Sequence, residues 1–145
     1  MTENKFDIKG VAIIDIDVHH GNGTEEILKT LNRPDNIFFA STHLYGDGFY
    51  PGSGESDSIE HNIMNLPITP LWKCQTASSS EIPDFYGRNS FRTQVVQRLL
   101  PALRCFRPDM IFVSAGYDGC RVRLLLTMLT FIALFNCFNF WLVIE

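Results

Sequence analysis

The chain has 145 residues, 46% of them hydrophobic and 19% charged, a composition that supports a packed core and excludes a disordered chain. Sixteen acidic against twelve basic residues give a formal net charge of -4, which lacks the electrostatic footprint of phosphate-backbone binding and argues against direct nucleic-acid contact. Cys74, Cys105, Cys120 and Cys137 show no short metal or redox spacing and read as free thiols, and residues 1–10 lack the order of a secretory signal, so an intracellular setting is expected.

In chain order, the apolar, β-branched run at residues 11–14 reads as a buried strand that ends in Asp15-Ile16-Asp17-Val18-His19-His20 and the turn residues Gly21-Asn22-Gly23. Thr24 as N-cap, Glu25 and Glu26 in the first turn, and Ile27, Leu28 and Leu31 on one face predict a short helix. Residues 37–42 read as a second buried strand before His43, and residues 45–54 as a shaped loop, dense in glycine yet carrying Tyr45, Phe49 and Tyr50. Residues 62–67 fit a short strand and residues 73–83 a loop. Apolar residues spaced three to four apart over 90–106 predict an amphipathic helix kinked near Pro101, stopped by Arg107-Pro108-Asp109. Residues 110–115 form a third buried strand that runs into Gly116-Tyr117-Asp118-Gly119. Strands alternating with helices imply an α/β fold, a parallel sheet with helices on both faces.

From Leu124 through Ile144 no residue is charged, a length that meets the roughly 20 residues a membrane span requires. A transmembrane helix, a buried hydrophobic element and a non-native tail compete for this segment. With no Gly or Pro punctuation to divide it, it is expected to behave as one continuous apolar helix. The chain is therefore divided into a domain at residues 1–120 and an apolar tail of doubtful origin at 121–145, through which 124–144 would give access to a membrane only if the tail is genuine.

Asp17 and His19 occupy alternate positions at a strand end and are expected to point the same way, so that they can share one ion. Asp118 follows another buried strand, and the carboxyl ends of parallel strands are where open α/β sheets assemble their sites. Two Asp and one His are three protein ligands for Zn²⁺ with a position left for water, the catalytic arrangement, which points to metal-assisted hydrolysis. An isolated Asp-X-His would be read as a turn capping the next helix, but the string here is longer.

Residues 15–24, Asp15-Ile16-Asp17-Val18-His19-His20-Gly21-Asn22-Gly23-Thr24, resemble the metal-binding segment of the zinc-dependent histone deacetylase family, close to its class II and acetylpolyamine-deacetylase-like branch. Ser41-Thr42-His43, Gly48-Phe49-Tyr50-Pro51-Gly52-Ser53-Gly54 and Ser114-Ala115-Gly116-Tyr117-Asp118 are similar to the family's later blocks, in the same order. The resemblance covers about residues 8 to 120.

It implies an arginase/deacetylase-type fold, incomplete at both ends, with Asp17, His19 and Asp118 as zinc ligands. It further implies a structural potassium ion surrounded by Asp15, Asp17, His19, Ser41 and Thr42, a substrate channel walled by Phe49 and Tyr50, and Asp15 and Asn22 as partners of a proton-transfer histidine pair. That pair is expected upstream of Val11 and an oxyanion tyrosine well downstream of Asp118, where this sequence has neither. The residues Cys120-Arg121-Val122-Arg123 also depart from the acidic and proline residues of the family pattern. His20 is expected to support the loop, His43 and His61 to be structural or exposed, and the remaining acidic residues to be solvated.

The implied function is zinc-dependent hydrolysis of acetyl-lysine amides in histones or other proteins, crippled in this chain, with corepressor proteins as further partners and the nucleus and/or cytoplasm as location. Two alternatives stand beside it: a non-catalytic protein that binds zinc, acetylated peptide or a partner, and a membrane-tethered fragment.

Overall fold

The computed structural model of the chain describes residues 8–31, 34–70, 86–116 and 140–142. The elements are β1 (Val11–Asp15), α1 (Asn22–Thr30), β2 (Ile37–Leu44), β3 (Ile63–Ile68), α2 (Tyr86–Gln94), a π-helical turn (Val95–Leu99), α3 (Leu100–Phe106), β4 (Met110–Ser114) and β5 (Phe140–Leu142). All five strands are parallel, in the order β3-β2-β1-β4-β5. The expected parallel α/β sheet is therefore present.

Alternation along the strands divides the sheet into two faces. Ala12 and Ile14 of β1, Phe38 and Ala40 of β2, Leu66 of β3, and Ile111 and Val113 of β4 pack under Val95, Leu99 and Leu103. The opposite residues Ile13, Ile37, Phe39 and Ile63 pack with Leu28 of α1. Helices thus cover both faces, as right-handed crossovers require when the chain first steps from β1 to β3 and then returns to β4 on the other side of β1.

Several elements depart from expectation. Helix α1 starts at Asn22, with Gly21 rather than Thr24 in the cap position and no side-chain cap. Its inward residues are Glu25 and Leu28, while Ile27 is 61% exposed and Leu31 also faces solvent. The α2–α3 rod starts at Tyr86 instead of Ser90. The kink attributed to Pro101 is realised as the π-helical turn just before it: the ring has no N–H to donate and crowds the carbonyl four residues back, so the preceding turn widens. In the tail, Phe140–Leu142 is a strand with Ile111, Phe112 and Val113 as partners, so one continuous apolar helix over 124–144 is excluded. A short apolar run with no turn residues around it does not tell strand from helix by periodicity. Among the described residues no helix is long and apolar enough to cross a membrane. Residues 121–139 and the loop expected at 73–83 lie outside the described residues, as do three of the four cysteines; Cys105 is free and exposed.

Candidate functional site

The strand order reverses between β1 and β4, and Asp15 and Ser114 are partners at their carboxyl ends. An open α/β sheet forms a crevice at such a switch point because the two following loops diverge to opposite sides. Here a cleft of about 300 Å³ is lined by Asp15, Asp17, His19, His20 and Gly21 from the β1 side and by Ser114, Ala115 and Gly116 from the β4 side.

Asp17 and His19 lie beyond the end of β1, so strand alternation is not what brings them together. Two successive side-chain-to-backbone bonds do so. The Asp17 N–H donates to Asp15 Oδ1 at 3.0 Å, and the His19 N–H donates to Asp17 Oδ1 at 2.7 Å. Aspartates at every second position curl the chain in this way because a short carboxylate reaches the amide two residues on. The curl leaves His19 Nδ1 3.0 Å from Asp17 Oδ1. At this hydrogen-bonding distance a carboxylate oxygen and an imidazole nitrogen, two donor types that zinc accepts, lie side by side. Among the described residues no three His, Cys, Asp or Glu side chains form a metal-holding group. Asp118, the third expected ligand, lies outside them, two residues past Gly116.

The Phe49 ring stacks on His19 with centroids 5.2 Å apart and planes 9° apart, and Tyr50 meets the same imidazole edge-on at 6.0 Å. Tyr50 is 73% exposed. Phe49 and Tyr50 therefore meet the candidate ligand rather than the core.

Asp15 is buried at the cleft floor. Burial, reinforced by the charge of Asp17, holds its carboxyl above the usual range, against the opposing effects of the Asp17 amide and His20. Asp15 and Ser41 are partners across β1 and β2, Ser41 Oγ accepts from the Gly21 N–H at 3.3 Å, and Thr42 Oγ1 donates to the Asp15 carbonyl at 3.3 Å. Asp15, Asp17, His19, Ser41 and Thr42 thus converge around the end of β1. Asn22 does not join them: it is an exposed residue opening α1, its N–H bonded to the His20 carbonyl.

The sequence reading missed a second cluster. On the α1 face of the sheet, β2 and β3 turn from apolar to polar toward their carboxyl ends, through Ser41, His43 and Asn65. Glu25, expected to be solvated, is instead 9% exposed, with His20 and Asn65 as partners. Burial raises its pKa, but hydrogen bonds from Lys29 and Asn65 and the charges of His20 and Lys29 outweigh that, and the carboxyl lies below its ordinary value. His43 is 1% exposed, and burial together with the neighbouring His20 lowers its pKa to about 4, so the ring is neutral at pH 7. His61 is paired with Ser58 and Glu60. The sequence signal for the cluster is the polar residue at every second position of the strand ends, opposite Glu25 on α1.

Residues 1–128 match the histone deacetylase domain family. Histone deacetylase 14, chloroplastic, of Arabidopsis thaliana is 38% identical over 117 residues, covering 77% of this chain and 23% of the relative. Type-2 histone deacetylase 2 of Dictyostelium discoideum is 35% identical over 119 residues, covering 75% of this chain and 6% of the relative. The crystal structure of the HDA15 HD domain superposes with a TM-score of 0.70 at 26% identity, covering 96% of this chain and 40% of that one. The chain therefore spans well under half of each of these proteins, and its sheet is of their arginase/deacetylase type. The family match over residues 1–128, the relatives and the fold agree with one another, and this chain belongs to the histone deacetylase domain family.

Proposed function

We propose that this chain carries the metal-ligand turn and part of the substrate channel of a zinc-dependent deacetylase that hydrolyses acetyl-lysine amides in histones or other proteins. The observation that supports it most is the convergence of the Asp17 carboxylate and His19 imidazole at the β1–β4 switch point, beneath the stacked Phe49 ring. Asp17, His19 and Asp118 would hold the ion, and Asp118 follows the cleft residue Gly116 by two positions. Zinc, when bound, supplies polarisation of the amide carbonyl and activation of water.

Phe49 and Tyr50 bind the aliphatic stem of acetyl-lysine between apolar ring surfaces, with Tyr50 at the mouth. Asp15, buried at the cleft floor, would serve as a proton-relay partner. Asp15, Asp17, His19, Ser41 and Thr42 would hold a structural potassium ion. Corepressor proteins are further partners, and the nucleus and/or cytoplasm is the location.

A second reading, binding without turnover, is favoured by one observation. The sequence has four histidines; His19 is the proposed ligand, and His20, His43 and His61 are engaged by Glu25, Gly54 and Ser58 respectively. Among the described residues only His19 and His20 line the cleft, and both ring nitrogens of His20 are taken up by Ser53, Glu25 and Asn65, so no histidine pair stands there to move protons, a role worth about 10²–10⁴-fold in rate. Hydrolysis of an acetyl-lysine peptide by the purified chain, with its metal content measured in parallel, separates the two. Zinc-dependent turnover supports the deacetylase, bound zinc without turnover supports the second reading, and absence of zinc binding overturns both.

A further inference from the structure

The turn that carries Asp17 and His19 and the loop that carries Phe49 and Tyr50 are joined by the polar cluster on the α1 face. His20 is 4% exposed. Its Nδ1 lies 2.8 Å from Ser53 Oγ, and its Nε2 lies 2.9 Å from Glu25 Oε2 and 3.1 Å from Asn65 Oδ1. Both neighbours of Nε2 are acceptors, so that nitrogen carries a proton and donates. Asn65 Nδ2 in turn donates to Glu25 Oε2 at 2.9 Å and to the Ser56 carbonyl at 2.8 Å, which fixes the amide with its oxygen toward His20.

His43 completes the set from β2. Its Nε2–H donates to the Gly54 carbonyl at 3.0 Å, and its ring lies 4.5 Å from that of His20. Gly54 has φ +87°, and a Cβ built there would lie 2.7 Å from both His20 Cδ2 and His43 Cε1 and closer still to His43 Nε2. The end of the loop is thus pressed directly against two buried imidazoles.

These ties are not spread over the molecule. On the loop they fall on Ser53, Gly54 and Ser56, just after Phe49 and Tyr50; on the turn they fall on His20, the neighbour of His19. A segment with glycines at 46, 48, 52 and 54, all at positive φ, would otherwise sample many conformations. Among the described residues no buried side-chain nitrogen or oxygen lacks a partner, so the network is complete, the condition under which buried polar groups rigidify a structure.

We propose that His20, Glu25 and Asn65 are positioning residues that brace the 49–54 loop against the metal-binding turn and so hold Phe49 parallel to the His19 ring. The consequence for acetyl-lysine binding rests on the function proposed above; the brace itself does not.

The test is the ¹H–¹³C spectrum of the histidine rings in the metal-free full chain, in which four residues give four assignable signals. In the wild type the ring of Phe49 displaces the His19 signal from its random-coil position. In Ser53→Ala, a change at an exposed residue, and in Glu25→Ala the signal moves toward that position while far-ultraviolet circular dichroism is unchanged. Glu25→Gln, which keeps an acceptor for His20 and Asn65, retains the wild-type signal. A His19 signal that stays in place in Ser53→Ala overturns the brace, as does one that moves equally in Glu25→Gln and Glu25→Ala. Should Glu25→Ala fail to fold, Ser53→Ala decides. In a second arm with zinc-loaded protein, Ser53→Ala weakens acetyl-lysine peptide binding several-fold without loss of zinc; equal affinity overturns the link to substrate. A wild-type chain that takes up no zinc defeats the proposed function and leaves the spectroscopic arm to judge the brace.

Discussion

Replacing glycines one at a time separates backbone strain from steric pressure in the loop over the site. At Gly23, in α1, a new Cβ meets nothing within 4 Å, so Gly23→Ala stabilises the chain by about 0.5–1 kcal/mol through the lower entropy of the unfolded state. At Gly48, φ is +71° and the space is again open, so Gly48→Ala costs only the left-handed backbone penalty of about 1–2 kcal/mol. At Gly54, φ is +87° and the Cβ would overlap both the His20 and His43 rings. These rings cannot move aside without giving up the bonds to Ser53 and the Gly54 carbonyl. Each buried group left unpaired costs about 1–3 kcal/mol, so with the backbone penalty Gly54→Ala is expected to lose about 3–8 kcal/mol in all, a large part of the 5–15 kcal/mol typical of a domain. Urea unfolding of the full chain followed by circular dichroism gives the three values. If Gly54→Ala costs no more than Gly48→Ala, the imidazoles are not packed on the loop and the reasoning fails.

Phe49→Ala removes one wall of the proposed channel and is expected to weaken acetyl-lysine peptide binding about 4- to 15-fold, from one or two stem methylenes left uncovered at about 0.8 kcal/mol each, with zinc content unchanged; calorimetric titration measures it. The folded pKa of His43, about 4, lies below the unfolded value of 6.5, so the unfolded state binds the extra proton in between and stability falls as pH drops. From pH 7 to 5 that loss is about 2 kcal/mol, and urea midpoints in His43→Gln should show a correspondingly flatter dependence. Deleting residues 140–145 strips β5 from β4 and exposes the strand edge, so the shortened chain should unfold at lower urea and aggregate more readily; greater solubility at unchanged stability would mark the pairing as dispensable.

The sheet was legible because β1, β2 and β4 are apolar, β-branched runs ending in turn residues, the pattern of strands buried on both faces. The site was legible for a related reason: Asp15, Asp17 and His19 follow such a run directly, and Ser114 follows another. What brings Asp17 and His19 together was not, since strand periodicity carries no information about two aspartates bonding the amides two residues ahead. The inward face of α1 was misread because its counting assumed an apolar partner surface. At its carboxyl end that surface is Ser41, His43 and Asn65, so Glu25 turns inward and Ile27 outward. Asn65 and Ser53 join His20 from 45 and 33 residues away, separations over which a local pattern says nothing. The strand at Phe140–Leu142 was hidden in an uncharged run with no turn residues to mark its ends.

Zinc content of the purified full chain, after loading and removal of free metal, tests the central assignment most directly. The account predicts about one zinc per chain in the wild type and in His61→Ala, whose ring is occupied by Ser58 and Glu60. Asp17→Ala, His19→Ala and Asp118→Ala, each leaving an incomplete ligand set, should lose most of it. Equal zinc in the wild type and in Asp118→Ala or His19→Ala would contradict the assignment.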